Sequence, residues 1–323
     1  MGEAVRDLQR RLLHAGIDCG ADPAGVFGPA TEVAVRRFQD RRALPVDGQC
    51  GPITWGALVE AGYRLGDRLL YLRTPMLRGD DVADLQRRLN ELGFDVGRVD
   101  GILGPDTERA VKDFQRNTAL NCDGVVGPDT RAALHRLGSH AGQATQSGGV
   151  AAVRERERLR CAPPTLAGRR IALGDTGGMD VLIEALGRTL RGRGARVLAL
   201  EHPDPSAHAA EANLAGVEVY LGLATADGDP GRPATATVGY YATRGYESPG
   251  GRRLAELIAG RLLPLLAGGT CTVQGTTVPV VRETRMPAVL CRLSPPQVVV
   301  QRAGDLARAL AAALAAWVIA PLD

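Results

Sequence analysis

Hydrophobic positions keep two different rhythms along this 323-residue chain. In the first part they recur at helical spacing. Val82, Leu85, Leu89 and Leu92 form one buried stripe, and Gly93 follows as a stop. Gly104-Pro105-Asp106-Thr107 is a turn into a new helix, with Thr107 or Asp106 placed to cap it. Ala110, Val111 and Phe114 then share a face. Gly127-Pro128-Asp129-Thr130 repeats the device ahead of a third helix that carries Ala133, Leu134 and Leu137. Past Arg169 the rhythm changes. Short apolar runs at 170–173, 196–200, 217–223, 235–241 and 287–293 read as strands. Stretches at 181–190, 206–213, 251–266 and 305–317 read as helices. This alternation predicts a three-layer α/β domain.

The helical part is one unit written twice. Copy one runs through Leu8-Gln9, Leu12, Gly16, Phe27-Gly28-Pro29, Thr31, Phe38-Gln39, Asp47-Gly48, Gly51-Pro52 and Thr54. Copy two runs through Leu85-Gln86, Leu89, Gly93, Asp100-Gly101, Gly104-Pro105, Thr107, Phe114-Gln115, Asp123-Gly124, Gly127-Pro128 and Thr130. Phe38 and Phe114 stand 76 residues apart, as do Asp47 and Asp123. Copy one departs where Asp22-Pro23-Ala24-Gly25 replaces a plain Asp-Gly. Between the copies, Leu69-Leu70-Tyr71-Leu72 is too apolar for a free linker, so the repeats are expected to dock through it. Asp80 or Asp81 is placed to cap the following helix. Residues 138–149 have the small, polar composition of a flexible hinge. Residues 153–160 alternate in charge like a solvated helix, which Pro163-Pro164 ends. The expected organisation is multidomain. Two small all-α three-helix repeats occupy 1–63 and 64–138, a linker occupies 139–167, and the α/β domain occupies 168–323.

Composition narrows the function. Net charge is +3 and aromatics are 4%, which argues against a nucleic-acid partner. All but one of the 39 basic residues are Arg, so Lys112 is the one lysine available for catalysis. The six cysteines are scattered with no CxxC pair, as in a reducing compartment. The N-terminus lacks a basic region followed by an apolar run. The apolar stretch 309–320 is too short to span a bilayer, so no transmembrane segment is expected. Together these give a cytoplasmic address as the expectation.

The doubled pattern, with its LQ, FQ, DG, GP and Thr positions, resembles the peptidoglycan-binding-like repeat found beside many cell-wall hydrolases. The α/β part resembles the zinc-dependent N-acetylmuramoyl-L-alanine amidases. That likeness rests on its element order, on Glu211-Ala212-Asn213, on Arg285-Met286-Pro287-Ala288-Val289-Leu290 and on the Leu- and Ala-rich helix at 254–266. Tyr63-Arg64-Leu65-Gly66, Gly79-Asp80-Asp81-Val82 and Thr284-Arg285-Met286-Pro287 bring it nearest to an actinobacterial regulatory branch of that family.

The resemblance implies a zinc site with three protein ligands and a glutamate base, and this sequence departs from it at each position. Asp175 and Thr176 stand in the glycine turn that should hold the first His. Met179 or Asp180 falls where a Glu should begin the next helix, with Glu184 a turn further on. Ala224 replaces the strand-end His, and Arg292 replaces the base. Zinc is therefore expected to be absent and the chain to be a pseudoenzyme. His202 and His208 are six residues apart, which is not a standard ligand spacing, and read better as surface histidines. Asp227 and Asp229 lie in a turn sequence. Arg282, Arg285 and Arg292 are weak candidates for binding an anionic ligand.

By resemblance, the partners are proteins of the peptidoglycan-precursor pathway, first among them the enolpyruvyl transferase acting on UDP-N-acetylglucosamine. Muropeptide or peptidoglycan fragments and a regulating Ser/Thr kinase are further expected partners. The alternative reading is a zinc-dependent amidase acting on peptidoglycan in wall turnover.

Overall fold

The computed structural model describes residues 2–138, 149–226, 228, 233–243, 246–266 and 268–323. The interior of the expected hinge at 138–149, and both Asp227 and Asp229, lie outside the described residues. The chain divides into two units, Met1–Val153 and Arg154–Asp323.

The first unit holds the two repeats. Copy one is α1 (Glu3–His14), α2 (Pro29–Arg41) and α3 (Pro52–Glu60). Copy two is α4 (Asp80–Glu91), α5 (Pro105–Asn117) and α6 (Pro128–Gly138). Each copy closes its own core. Leu8, Leu12, Val35, Phe38 and Leu58 fill the first; Leu85, Leu89, Val111, Phe114 and Leu134 fill the second.

What shapes each copy is a buried glutamine. Gln39 Nε2 donates to Asp47 Oδ1 (2.6 Å), Gln49 O (3.0 Å) and Thr54 Oγ1 (3.0 Å), and its Oε1 accepts from Gly48 N–H. Gln115 repeats this on Asp123, Val125, Thr130 and Gly124. Gln86 does the same on Asp100, Ile102, Thr107 and Gly101. Gly48 and Gly124 sit at φ 75 and 76, where a side chain would be strained. Where copy one departs, Gln9 clamps Gly25 instead. Asp22, three residues earlier, takes the N–H groups of Gly28 and Thr31 and so caps α2.

Three local expectations are corrected here. Thr107 and Asp106 do not cap α5. Its N-cap is Gly104 followed by Pro105, Thr107 is buried against Gln86, and Asp106 pairs with Arg109. Neither Asp80 nor Asp81 is an N-cap residue, since Gly79 holds that position for α4. Asp80 binds Arg42 across the two copies, at 2.7 and 2.6 Å, and Asp81 binds Arg68. The Leu69–Leu72 segment does not join the repeats through a shared core. Leu70 is fully buried in the core of copy two and bridges Val126, whereas Leu69 and Tyr71 are exposed.

The second unit carries a six-stranded sheet in the order β2-β1-β3-β6-β4-β5. Its strands are β1 (Arg170–Asp175), β2 (Arg196–Leu200), β3 (Val219–Thr225), β4 (Thr235–Tyr241), β5 (Thr270–Thr276) and β6 (Ala288–Ser294). All neighbours are parallel except β4 and β6, which run antiparallel. On one face, α8 (Asp180–Arg191), α10 (Pro249–Leu262) and α12 (Pro296–Ile319) pack over Leu173, Leu221, Leu223, Val289, Cys291 and Leu293. On the other lie α9 (Pro205–Leu214) and the short α11 (Pro279–Glu283). The result is the expected three layers.

One more helix departs from expectation. α7 (Gly149–Arg160) contains the stretch read as a solvated linker helix, yet Glu155 and Leu159 are buried. The Glu155 carboxylate accepts from Tyr246 Oη, Ser248 Oγ and Gly250 N–H at the start of α10. Leu159 belongs to the main core of the second unit. Residues 154–160 are therefore part of the α/β unit and not of a linker.

Candidate functional site

The C-terminal ends of β1, β3 and β6 lie side by side. Parallel registers set Asp175 beside Leu223 and Ala224 beside Arg292. The positions singled out in the sequence therefore meet at one edge of the sheet, where open α/β sheets form their clefts.

The turn after β1 is closed on itself. Asp175 Oδ1 accepts from Gly177 N–H (2.6 Å) and Oδ2 from Met179 N–H (3.0 Å). The Thr176 amide and hydroxyl both donate to Leu223 O, at 3.1 and 3.2 Å, which ties the turn to the end of β3. The Thr225 hydroxyl donates back to Gly177 O (3.2 Å). Met179 is fully buried in the core that α8 covers. Asp180 follows it, exposed, and the neighbouring Asp175 carboxylate pushes its carboxyl above the usual range.

A zinc ion needs lone pairs aimed at one point. Here Asp175 has committed an oxygen to each of two amides, Met179 is turned into the core, Ala224 offers no donor, and Arg292 brings a positive charge. These residues do not fit zinc. No group of three or more His, Cys, Asp or Glu side chains stands in metal-holding array among the described residues.

The two histidines are also occupied. His208 is fully buried, not on the surface, which corrects the expectation. Its Nε2 accepts from His202 N–H (2.9 Å), so Nδ1 carries the proton and donates to Tyr220 Oη (3.1 Å). Burial pushes the His208 pKa down. Burial, with the Asp175 charge, pushes the Tyr220 phenol well up. His202 Nδ1 in turn accepts from Asp204 N–H (3.0 Å). The Tyr220 hydroxyl lies against Gly174, where any Cβ would meet it at 2.0 Å. This pair fills the sheet face beneath α9 as a packed polar core.

The three candidate arginines do not form one cluster. Arg282 lies in α11, and Arg285 is exposed just before β6, with its N–H on Asn213 Oδ1 (2.8 Å). Arg292 lies near the far end of β6, and the four steps from Ala288 to Arg292 alone advance about 13 Å. Arg292 is half-buried, and burial lowers its pKa. Its register neighbours are Ala224 on β3 and Thr237 on β4, with Thr272 of β5 next to Thr237. Thr237 lies on a strand that the hydrophobic pattern places, whereas Thr272 was missed together with β5. The signal was the alternating Thr270-Cys271-Thr272-Val273.

Comparison with known proteins places both units. A family described as "Putative peptidoglycan binding domain" matches residues 1–58 and 78–134. The N-acetylmuramoyl-L-alanine amidase CwlM of Mycobacterium tuberculosis is 35% identical over 290 residues, covering 82% of this chain and 70% of that protein. The N-acetylmuramoyl-L-alanine amidase CwlL of Bacillus licheniformis is 35% identical over 159 residues, covering 42% of this chain and 44% of that one. Among solved structures, the N-acetylmuramoyl-L-alanine amidase of Clostridium difficile 630 is 14% identical with a TM-score of 0.38, covering 48% of this chain and 99% of that chain. With one amidase relative at this identity matched over most of both lengths, the chain belongs to the N-acetylmuramoyl-L-alanine amidase family.

Proposed function

We propose that this chain is a pseudo-amidase: it keeps the fold of a peptidoglycan amidase, carries no zinc and cuts no amide bond. The observation that supports this reading is the closed turn after β1. Both Asp175 oxygens are held by backbone amides there, while Ala224 and Arg292 stand at the two neighbouring strand ends. Amide hydrolysis on this fold needs a Lewis acid and a base with a usable proton affinity. Arginine supplies neither.

The role that suits such a chain is regulation in the cytoplasm. It would bind proteins of the peptidoglycan-precursor pathway, the enolpyruvyl transferase first, with Ser/Thr phosphorylation as the control and peptidoglycan fragments as further ligands of the repeats. No helix among the described residues is long and apolar enough to cross a membrane, which agrees with this role without assigning a compartment. The competing reading, a zinc-dependent amidase acting on peptidoglycan, has the names of the relatives in its favour. Elemental analysis of the purified full chain separates the two. Zinc well below one equivalent, with no muropeptide release, is the expected outcome; stoichiometric zinc with release of stem peptides overturns it. Affinity capture on the full chain is expected to enrich a precursor-pathway enzyme, and its failure to do so removes the regulatory half of the proposal.

A further inference from the structure

The edge of the sheet where β1, β3 and β6 end keeps one strong donor with no side-chain partner among the described residues. Two other arginines with buried guanidinium groups are paired: Arg68 with Asp81, and Arg169 with Glu218 and Pro163 O. The Arg292 side chain has neither a hydrogen bond nor an ion pair with any described residue, and burial alone shifts its pKa. A half-buried guanidinium without an acceptor is unfavourable, because it gives up hydration without replacing it.

The sheet register shows what surrounds it. Residues opposite one another on adjacent strands project to the same face. Thr237 therefore stands beside Arg292, with Thr272 beyond it, and their hydroxyls are 3.5 Å apart. On the other side Ala224 presents a single methyl. The next row places Gly222 and Gly239 on either side of Leu290, with Leu290 and Tyr220 lying over Gly222 and the Thr276 methyl over Gly239. A planar donor fork, flanked by hydroxyls on one side and the small Ala224 methyl on the other, matches a group that accepts two or more hydrogen bonds and carries negative charge.

We propose that Arg292, with the Thr237 and Thr272 hydroxyls, forms a binding site for an oxyanion: a carboxylate or phosphate group carried by a small ligand. The site rests on the pseudo-amidase reading. An arginine in the place of a proton-shuttling carboxylate turns a cation site into an anion site, and the same replacement that removes zinc creates the new specificity.

The test uses the full chain with isotope-labelled arginine Nε groups, titrated separately with inorganic phosphate and with acetate. One Nε–H resonance, absent from Arg292→Lys protein, is expected to move saturably. Movement with phosphate alone assigns a phosphate-bearing ligand, with acetate alone a carboxylate, and with both the shared oxyanion chemistry. Arg292→Gln is expected to weaken binding by about tenfold or more, the effect of losing charge-assisted hydrogen bonds. Thr237→Val, which preserves shape on a strand, is expected to weaken it by roughly threefold. No saturable movement with either probe, or equal affinity in Arg292→Gln protein, overturns the site. If that happens in zinc-free protein, the anion site falls and the pseudo-amidase reading stands. Stoichiometric zinc instead overturns that reading, whatever the anions do.

Discussion

A glutamine side chain holds each half of each repeat, and its burial sets what a substitution costs. Gln86 is 1% exposed and makes bonds to Asp100, Ile102, Thr107 and Gly101. Gln86→Leu leaves those donors and acceptors buried and unmatched, and should destabilise the first unit by about 2–3 kcal/mol in urea unfolding. Gln9 makes the equivalent bonds from a partly exposed position, so Gln9→Leu should cost less. The glutamines were visible in the sequence as a repeated motif, but their role was not. Their partners lie 8 to 22 residues away, beyond any periodicity. That role also shows that the motif maintains the repeat's shape and by itself names no ligand. His208 carries a second prediction. Its folded pKa is lowered by burial, so the unfolded chain takes up a proton near the ordinary value of 6.5 that the folded chain refuses until lower pH. Stability therefore falls as pH drops below that value. His208→Gln, which keeps an acceptor for His202 N–H, should flatten the slope in that window when melting temperature is followed against pH.

At the scale of elements, strongly patterned segments were legible and weakly patterned ones were not. The three-helix repeats and five of the six strands stand where hydrophobic spacing placed them. β5, one of the two sheet edges, was missed because its alternation is weak: Thr270, Thr272 and Gln274 are set against only Cys271 and Val273. α12 begins at Pro296, nine residues before the amphipathic stretch, with non-helical angles at Arg302 between the two parts. α7 was misread for a different reason. A run of alternating Arg and Glu looks solvated, yet Glu155 is the residue that anchors it. A buried carboxylate satisfied by two hydroxyls and an amide at the start of α10 is a device that composition hides. Glu155→Ala should leave those donors unmatched at a cost of roughly 2–4 kcal/mol. Hydrogen exchange should quicken at the Gly250 amide and along α7 while the repeats stay unchanged. Uniform exchange across both units would contradict the anchor.

Across the whole molecule, the proposed departure from a zinc amidase is spread over four separate places, and on that reading it is hard to reverse. Ala224 and Arg292 stand at the ends of two neighbouring strands and could be replaced by ligand-type residues without disturbing the register. Asp175 and Met179 are different. The carboxylate of one closes the turn that the amide of the other completes, Thr176 ties the turn to β3, and the Met179 side chain is part of the core beneath α8. Freeing Asp175 for a metal would leave two amides without acceptors and loosen the start of that helix. The double variant Ala224→His with Arg292→Glu should therefore fold, with a melting temperature within a few degrees of the parent. It should still bind less than one equivalent of zinc and release no muropeptide. Stoichiometric zinc in that variant would mean that the turn opens readily and that the strand-end residues alone block the metal. The proposed reading gives the opposite expectation, because Asp175 and Thr176 hold closed the turn on which a metal would depend.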